Sequence, residues 1–204
     1  MKIYCLVLNY KCDEDTKKCV RALESSDLPQ GSKIIVLDNS KKNLGFAGGN
    51  NKGIRLAIKN RATHVLIINP DVTVGKKFFT LLLAGLKSNS HLGIIAPATR
   101  YVIGEKTFFG LEGNMEWRSA KPTHVSISKL PTIKKMRQGE FVTFACALIR
   151  VEVFKKIGLI DGLGSRQDAI AKAGALAGIG GKPLTVGYSE KQPLFSLRDI
   201  FSSA

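Results

Sequence analysis

The sequence predicts an α/β protein with a mainly parallel central sheet flanked by helices. Three observations carry that prediction. Apolar runs stand at residues 3–9 (IYCLVLN), 33–37 (KIIVL), 63–68 (THVLII) and 93–97 (GIIAP), the pattern of strands covered on both faces. Stretches of helical spacing separate them, and strand–helix alternation over short links indicates parallel pairing. Polar clusters, Asn9-Tyr10, Asp38-Asn39-Ser40 and Asn69-Pro70-Asp71, follow three successive runs, where a parallel sheet collects its ligands.

Each element has its own justification. Residues 13–25 open with Asp13, Glu14 and Asp15 and carry Lys17, Lys18 and Arg21 further on, the charge order that a helix dipole favours. Cys19, Val20 and Leu23 supply a buried stripe, and Leu28-Pro29-Gln30-Gly31 makes a turn. A glycine-rich loop over 43–53 runs into a helix around 54–60, and a further helix spans 78–86. Residues 98–139 lose this pattern and are read as short antiparallel strands and a mobile segment. Strand character returns over 141–150 (FVTFACALIR), followed by a helix from 153 to 157. Beyond Asp161 only residues 168–177 look helical.

Composition narrows the class. The chain has 204 residues, 44% hydrophobic and 23% charged, enough for one generous core or two small ones. Disordered, collagen-like, coiled-coil and mucin-like classes are excluded. The longest apolar helix candidate, 78–86, is bracketed by Lys77 and Lys87, far short of the roughly 20 residues of a membrane span. The expectation is a soluble, cytoplasmic protein.

The net charge of +15 favours anionic partners: nucleotide phosphates, lipid phosphates or nucleic acid. A solvated basic surface is the plainer alternative. Cys5, Cys12, Cys19 and Cys146 form no C-x-x-C pair, and His64, His91 and His124 are scattered, so free thiols are expected rather than a zinc site. No G-x-x-x-x-G-K-[ST] occurs, and Gly45-Phe46-Ala47-Gly48-Gly49 is not G-x-G-x-x-G, which disfavours a P-loop and an ordinary dinucleotide fold.

A series of motifs resembles family 2 glycosyltransferases, more narrowly the rhamnosyltransferase-like members. These are VLNY (7–10), IIVLDNS (34–40), NLGFAGGNNKGI (43–54), VLIINPDV (65–72), GIIAPA (93–98) and FVTFACALIRVEVFKKIGLID (141–161). The resemblance implies a GT-A fold, a nucleotide-diphosphate-sugar donor and a divalent metal, Mn²⁺ or Mg²⁺. It implies that Leu8, Asn9 and Tyr10 touch the base and ribose. Asp38 matches the residue contacting the base, with Asn39 beside it, and Asn43, Gly45, Gly48 and Asn50 match the loop that closes on the nucleotide. Asn69 and Asp71 occupy the family's D-x-D position, with Asp71 as the metal ligand. Cys146 matches a segment lining the acceptor side.

The departure lies downstream. The family carries an acidic pair after the segment ending at 161, one member of which is the general base of an inverting displacement. Here Asp161 is followed by GLGSRQDAIAKAGALAGIGG, and Asp168, Glu190 and Asp199 are isolated. The expected organisation is therefore a donor-binding domain over 1–161 and a divergent tail over 162–204. That tail is read as frameshifted or poorly ordered, as a true acceptor region with Asp161 or Asp168 as base, or as part of a non-catalytic binder.

The resulting expectation is transfer of a sugar, with rhamnose the first candidate, to a cell-surface polysaccharide or lipid-linked acceptor. Such an enzyme would be cytoplasmic, with peripheral contact to the anionic inner face of the membrane. The alternative is a catalytically inactive nucleotide-sugar-binding remnant. A nucleic-acid module rests on charge alone and lacks a recognition motif. Phe108, Phe109 and Trp117 can serve as sugar platforms or as packing residues. Lys134, Lys135 and Arg137 can face phosphates or plain solvent.

Overall fold

The computed structural model describes residues 1–88, 90, 92–116, 121–128, 137–138, 142, 144–160, 185–186 and 196–197. Trp117, Lys134, Lys135, Asp161 and the helix expected over 168–177 lie outside these residues.

The chain begins β1 (Ile3–Asn9), α1 (Asp13–Glu24), β2 (Lys33–Asp38), α2 (Gly45–Lys59), β3 (His64–Ile68), α3 (Phe78–Ser88) and β4 (Ile94–Ile95). Three antiparallel strands follow: β5 (Thr99–Ile103), β6 (Lys106–Glu116) and β7 (Lys121–Ile127). After the short β8 (Arg137–Gln138), the chain re-enters the main sheet as β9 (Cys146–Arg150) and ends its described core with α4 (Val151–Ile157). Two-residue strands β10 (Thr185–Val186) and β11 (Ser196–Leu197) pair with β8 and β5.

The main sheet has the order β2-β1-β3-β9-β4. β1 pairs in parallel with both β2 and β3, while β9 runs antiparallel between β3 and β4. The sheet is thus mixed but mostly parallel, as expected from the alternating pattern. Of the strand expected over 141–150, Cys146–Arg150 form β9, while Phe141 and Thr143 lie outside the described residues.

Successive strand residues point to opposite faces, and the core divides accordingly. Tyr4, Leu6, Val65, Ile67, Ala147 and Ile149 meet Ile54 and Ala57 of α2 and Val153 and Phe154 of α4. On the other face Ile3, Cys5, Val7, Leu66, Ile68 and Leu148 meet Cys19 and Leu23 of α1 and Phe78, Phe79 and Leu82 of α3. Both layers are apolar, which is why these strands read as unbroken apolar runs.

Two sequence expectations change here. β2 was expected to be buried, yet it is an edge strand whose side chains are half-buried or exposed, with Val36 46% exposed. α2 was expected to begin near residue 54 after a loop, yet helix starts at Gly45. Its glycines are contact surfaces as well as chain breakers. A Cβ on Gly49 would lie 2.4 Å from Leu8 Cδ1, and one on Gly53 would lie 2.7 Å from Leu6 Cδ1 and 2.9 Å from Leu37 Cδ1.

The ends of α3 are tied to distant segments. The Asp27 carboxylate accepts hydrogen bonds from Phe79 N and Thr80 N, both 2.8 Å, capping otherwise unpaired donors. At the other end Arg150 donates from Nη2 to Leu86 O (3.1 Å) and from Nε to Leu92 O (2.7 Å). Arg150 also lies near buried His64, and burial first, then this charge and the N-terminal amine, push the imidazole from its usual 6.5 down to about 4.

Two outcomes follow from this packing. Gly53→Ala gains helix propensity but forces Leu6 and Leu37 apart, and urea unfolding should show a net loss of about 1–3 kcal/mol. His64 binds a proton more readily when unfolded, so its contribution is whole above pH 6.5 and declines as pH falls toward 4. The urea midpoint should therefore fall less steeply over that window in His64→Gln than in the wild type.

Candidate functional site

The three polar clusters meet at the carboxyl edge of the sheet. Asn9 is the register partner of Asp38 on β2, and Val7 is that of Ile68, the last residue of β3. Asn39 N donates to Asn9 O at 2.8 Å, stitching the first two strand ends together just beyond the ladder. The N-terminus of α2 opens beside them after a connection of six residues, 39–44.

The asparagines that the resemblance assigned to the nucleotide have distinct geometry. Asn9 is 8% exposed. Its Oδ1 accepts from Cys12 N (3.2 Å), Cys12 Sγ (3.4 Å) and Thr16 Oγ1 (3.2 Å), and its Nδ2 donates to Asp13 Oδ1 (2.6 Å). Asn39 is 3% exposed. Its Oδ1 accepts from Leu44 N (3.0 Å), and its Nδ2 donates to Asn43 Oδ1 (3.1 Å) and Gly45 O (3.4 Å). Both side chains are committed to partners nearby in sequence, so they hold α1 and the 39–45 turn in place.

Asn43 Oδ1 also accepts from Gly45 N at 2.9 Å, and Gly45 takes φ +69°, a conformation that suits glycine. Gly48 packs against Leu44, where a Cβ would come within 3.0 Å of Leu44 Cβ. Asn50 is fully buried; its Nδ2 donates to Phe46 O at 2.9 Å, while its Oδ1 has no hydrogen-bond donor in reach. Such an acceptor is costly to leave bare.

The exposed groups at this edge include Tyr10, Lys11, Asp38, Lys41, Lys42 and Asn43. Asp38 Oδ1 accepts from Ser40 N at 2.9 Å. Hydrogen bonds from Ser40, followed by the nearby Lys41 charge, hold the carboxyl below its ordinary range. It is therefore an ionised acceptor at neutral pH. Lys11 donates its backbone N–H to Ser40 Oγ (3.1 Å) and sets its ammonium 5.6 Å from the centre of the Tyr10 ring, within cation–π range. Leu8 is half-buried beneath Gly49 and shapes the floor through packing.

Beyond β3, Val72 N donates to Asn69 O (3.2 Å), closing the Asn69-Pro70-Asp71 turn, and Asn69 N donates to Ala145 O (2.8 Å). The turn is thus pinned to the entrance of β9. Asp71 Oδ1 is sealed from solvent. Asn69 and Asp71 offer hard oxygen donors, a chemistry suited to Mg²⁺ or Mn²⁺ bound largely through substrate phosphates. Cys19 donates its thiol to Asn69 O at 3.7 Å. Burial and then the Asp71 charge push it up to about 12, so it remains protonated and is a poor ligand. Among the described residues, no three His, Cys, Asp or Glu side chains form a self-sufficient metal cage.

Cys146 is fully buried, and burial drives its thiol far above the ordinary value. It opens β9, with its side chain in the core layer shared with α1 and α3. Phe108 stacks on Tyr101 with ring centres 5.8 Å apart, within the β5–β6 pair. Sequence reasoning missed Asn51, whose amide grips the backbone of Ile160; an asparagine inside a glycine-rich run carried no signal of so distant a partner.

The sequence profile described as glycosyl transferase family 2 matches residues 5–158. The chain belongs to that family. It is 25% identical to the low-salt glycan biosynthesis hexosyltransferase Agl10 of Haloferax volcanii, over 76% of this chain and 55% of that protein. A crystal structure of S. aureus TarS superposes with a TM-score of 0.62 at 14% identity, covering 97% of this chain and 60% of that one. TarS in complex with UDP-GlcNAc superposes with a TM-score of 0.64 at 12% identity, covering 100% and 60%. The fold is thus the GT-A α/β architecture expected from the motif series. The chain spans little more than half the length of these relatives.

Because Asn39 is buried and fully engaged, Asn39→Ala strips donors and acceptors from the 39–45 turn. Urea unfolding should show a loss of about 1–3 kcal/mol, with the larger share expected if Leu44 N is left dry.

Proposed function

We propose that the carboxyl edge of β1, β2 and β3 binds a nucleotide-diphosphate sugar and that the chain acts in metal-assisted glycosyl transfer. The observation that carries this reading is the convergence of Tyr10, Asp38 and Asp71 at one rim. The rim is framed by amides that bind it from behind. Family membership and the structural likeness to TarS support it.

In this reading the exposed Tyr10 ring is the platform for the base, with Lys11 completing its far face. Asp38, ionised and acceptor-only, takes an N–H from the base edge. Leu8 forms the apolar floor, while Asn9 and Asn39 set the rim's shape. Asn43, Gly45 and Gly48 let the turn come close to the ligand, and buried Asn50 is left with acceptor capacity beneath it. Asp71, with Asn69 beside it, would hold Mn²⁺ or Mg²⁺. When bound there, such an ion supplies charge neutralisation to the departing diphosphate. Lys11, Lys41 and Lys42 add positive charge at the same rim, which favours anionic ligands.

The acceptor in this reading is a glycan or a lipid-linked sugar, and rhamnose remains the first donor sugar to try. UDP-linked sugars are an equally direct choice, since TarS was crystallised with UDP-GlcNAc. No helix among the described residues is long and apolar enough to cross a membrane, and the basic surface suits peripheral contact with anionic lipid. We divide the chain into a donor-binding domain over 1–161 and a divergent tail over 162–204.

A second reading is favoured by one sequence observation. Residues 161–204 contain no adjacent acidic pair, so the general base is unassigned, with Asp161 the nearest candidate. A chain without that base would bind donor and not transfer it. An acidic pair in another reading frame of the coding DNA just past codon 161 would identify a frameshifted tail.

Thermal unfolding with UDP-, dTDP- and GDP-sugars, with and without Mn²⁺, tests the leading reading. At a ligand concentration near 100 Kd the matching donor should stabilise the fold by about 2.7 kcal/mol. Asp71→Ala should abolish the metal-dependent part. Stabilisation by no nucleotide sugar, or one indifferent to both Mn²⁺ and Asp71, would refute the proposed site. Binding without donor turnover would select the inactive reading.

A further inference from the structure

α4 ends at Gly158, which takes φ +88°, and the chain turns back across α2. Leu159 packs on the core and Ile160 is buried in it. There the Asn51 side chain closes a two-bond pair with one residue. Ile160 N donates to Asn51 Oδ1 at 3.0 Å, and Asn51 Nδ2 donates to Ile160 O at 2.7 Å, across 109 positions of sequence. An amide side chain here does what a neighbouring strand would do, supplying one donor and one acceptor to a buried residue.

The location of that clamp matters. Asn51 lies between Gly49, which touches Leu8, and Gly53, which touches Leu6 and Leu37. It belongs to the same helix whose first turn is shaped by Asn39 and Asn43. The residue it holds is the last before Asp161, where the sequence departs from its family.

We propose that Asn51 is a positioning residue that couples the donor-side turn at 43–49 to the chain entering residue 161. The inference rests on the donor-site reading above. Through α2, closure of the turn on a nucleotide is transmitted to Ile160. No other residue type of this length reproduces the clamp at neutral pH. Alanine supplies neither bond, and glutamine is one methylene too long. An ionised aspartate accepts from Ile160 N but opposes Ile160 O; a protonated aspartic acid regains the donor.

Hydrogen exchange on the full chain, with and without UDP, dTDP or GDP plus Mn²⁺, tests the coupling. In the wild type, the nucleotide that binds should slow exchange both at 43–49 and at 158–160. In Asn51→Ala, exchange at the Ile160 amide should rise about 10- to 100-fold without ligand. Nucleotide should still protect 43–49 in that variant but no longer protect 158–160. Asn51→Asp, compared with the wild type at each pH, should lack the response at pH 8 and recover it near pH 5. This second variant preserves the test if the alanine chain fails to fold. Nucleotide protection of 158–160 that persists in Asn51→Ala, or is equal in Asn51→Asp at both pH values, would overturn the coupling. Failure of every nucleotide to protect 43–49 in the wild type would overturn the donor-site reading, and the coupling with it.

Discussion

The seat of α2 on the sheet is the constraint from which the candidate site follows. With no side chain at positions 49 and 53, the helix settles directly on Leu8, Leu6 and Leu37. Any larger residue would lift it away from β1 and β2. That close approach lets only six residues, 39–44, carry the chain from the end of β2 into the helix. It also brings Phe46 over Phe144, with ring centres 6.2 Å apart and planes at 17°, so the start of α2 meets the approach to β9. The turn, the rim and the contact with the returning chain all depend on this one packing distance.

Buried and half-buried asparagines then fix what the packing brings together. Asn9, Asn39 and Asn51 each use both ends of an amide: one holds α1, one the 39–45 turn, one Ile160. An amide is well suited to this because it offers donor and acceptor without charge, so burial carries no ion desolvation cost. The ionisable groups are placed differently. Asp38 is exposed at the rim with its carboxyl stabilised as the anion, and Asp71 stands at the end of the central strand. Neutral amides build the frame, and the two carboxylates stand at its strand ends.

The sequence made the strands legible because β1, β3 and the second half of the 141–150 run are covered on both faces, which leaves no polar alternation. The positions of Asp38 and Asp71 at strand ends were legible for the same reason. β2 misled because its apolar content matches a central strand, and nothing local reveals that no strand among the described residues lies beyond it. α2 misled because glycine weakens helix propensity, while its benefit at Gly49 and Gly53 comes from tertiary contact. The asparagine partners were not legible: Asn9 and Asn39 bond within their own turns, and Asn51, which the sequence did not single out, reaches across the fold. Antiparallel insertion of β9 between β3 and β4 has no local signature either.

The charge of the chain acquires meaning only with this geometry. A net +15 is compatible with many anionic partners, but the rim itself is mixed. Asp38 and Asp71 would repel a diphosphate if they stood alone, and Lys11, Lys41 and Lys42 are the cations set among them in sequence and at the exposed edge. Lys41 already acts on Asp38 through space. A nucleic-acid surface would need cations spaced along a backbone, whereas this arrangement alternates acceptors and cations within one strand-end cluster. That pattern suits a small ligand carrying both a base N–H to donate and phosphates to be neutralised, as a nucleotide diphosphate does. Asp71, with Asn69 beside it, would hold a divalent ion in this reading, and such an ion would supply positive charge where the carboxylate alone would repel phosphate.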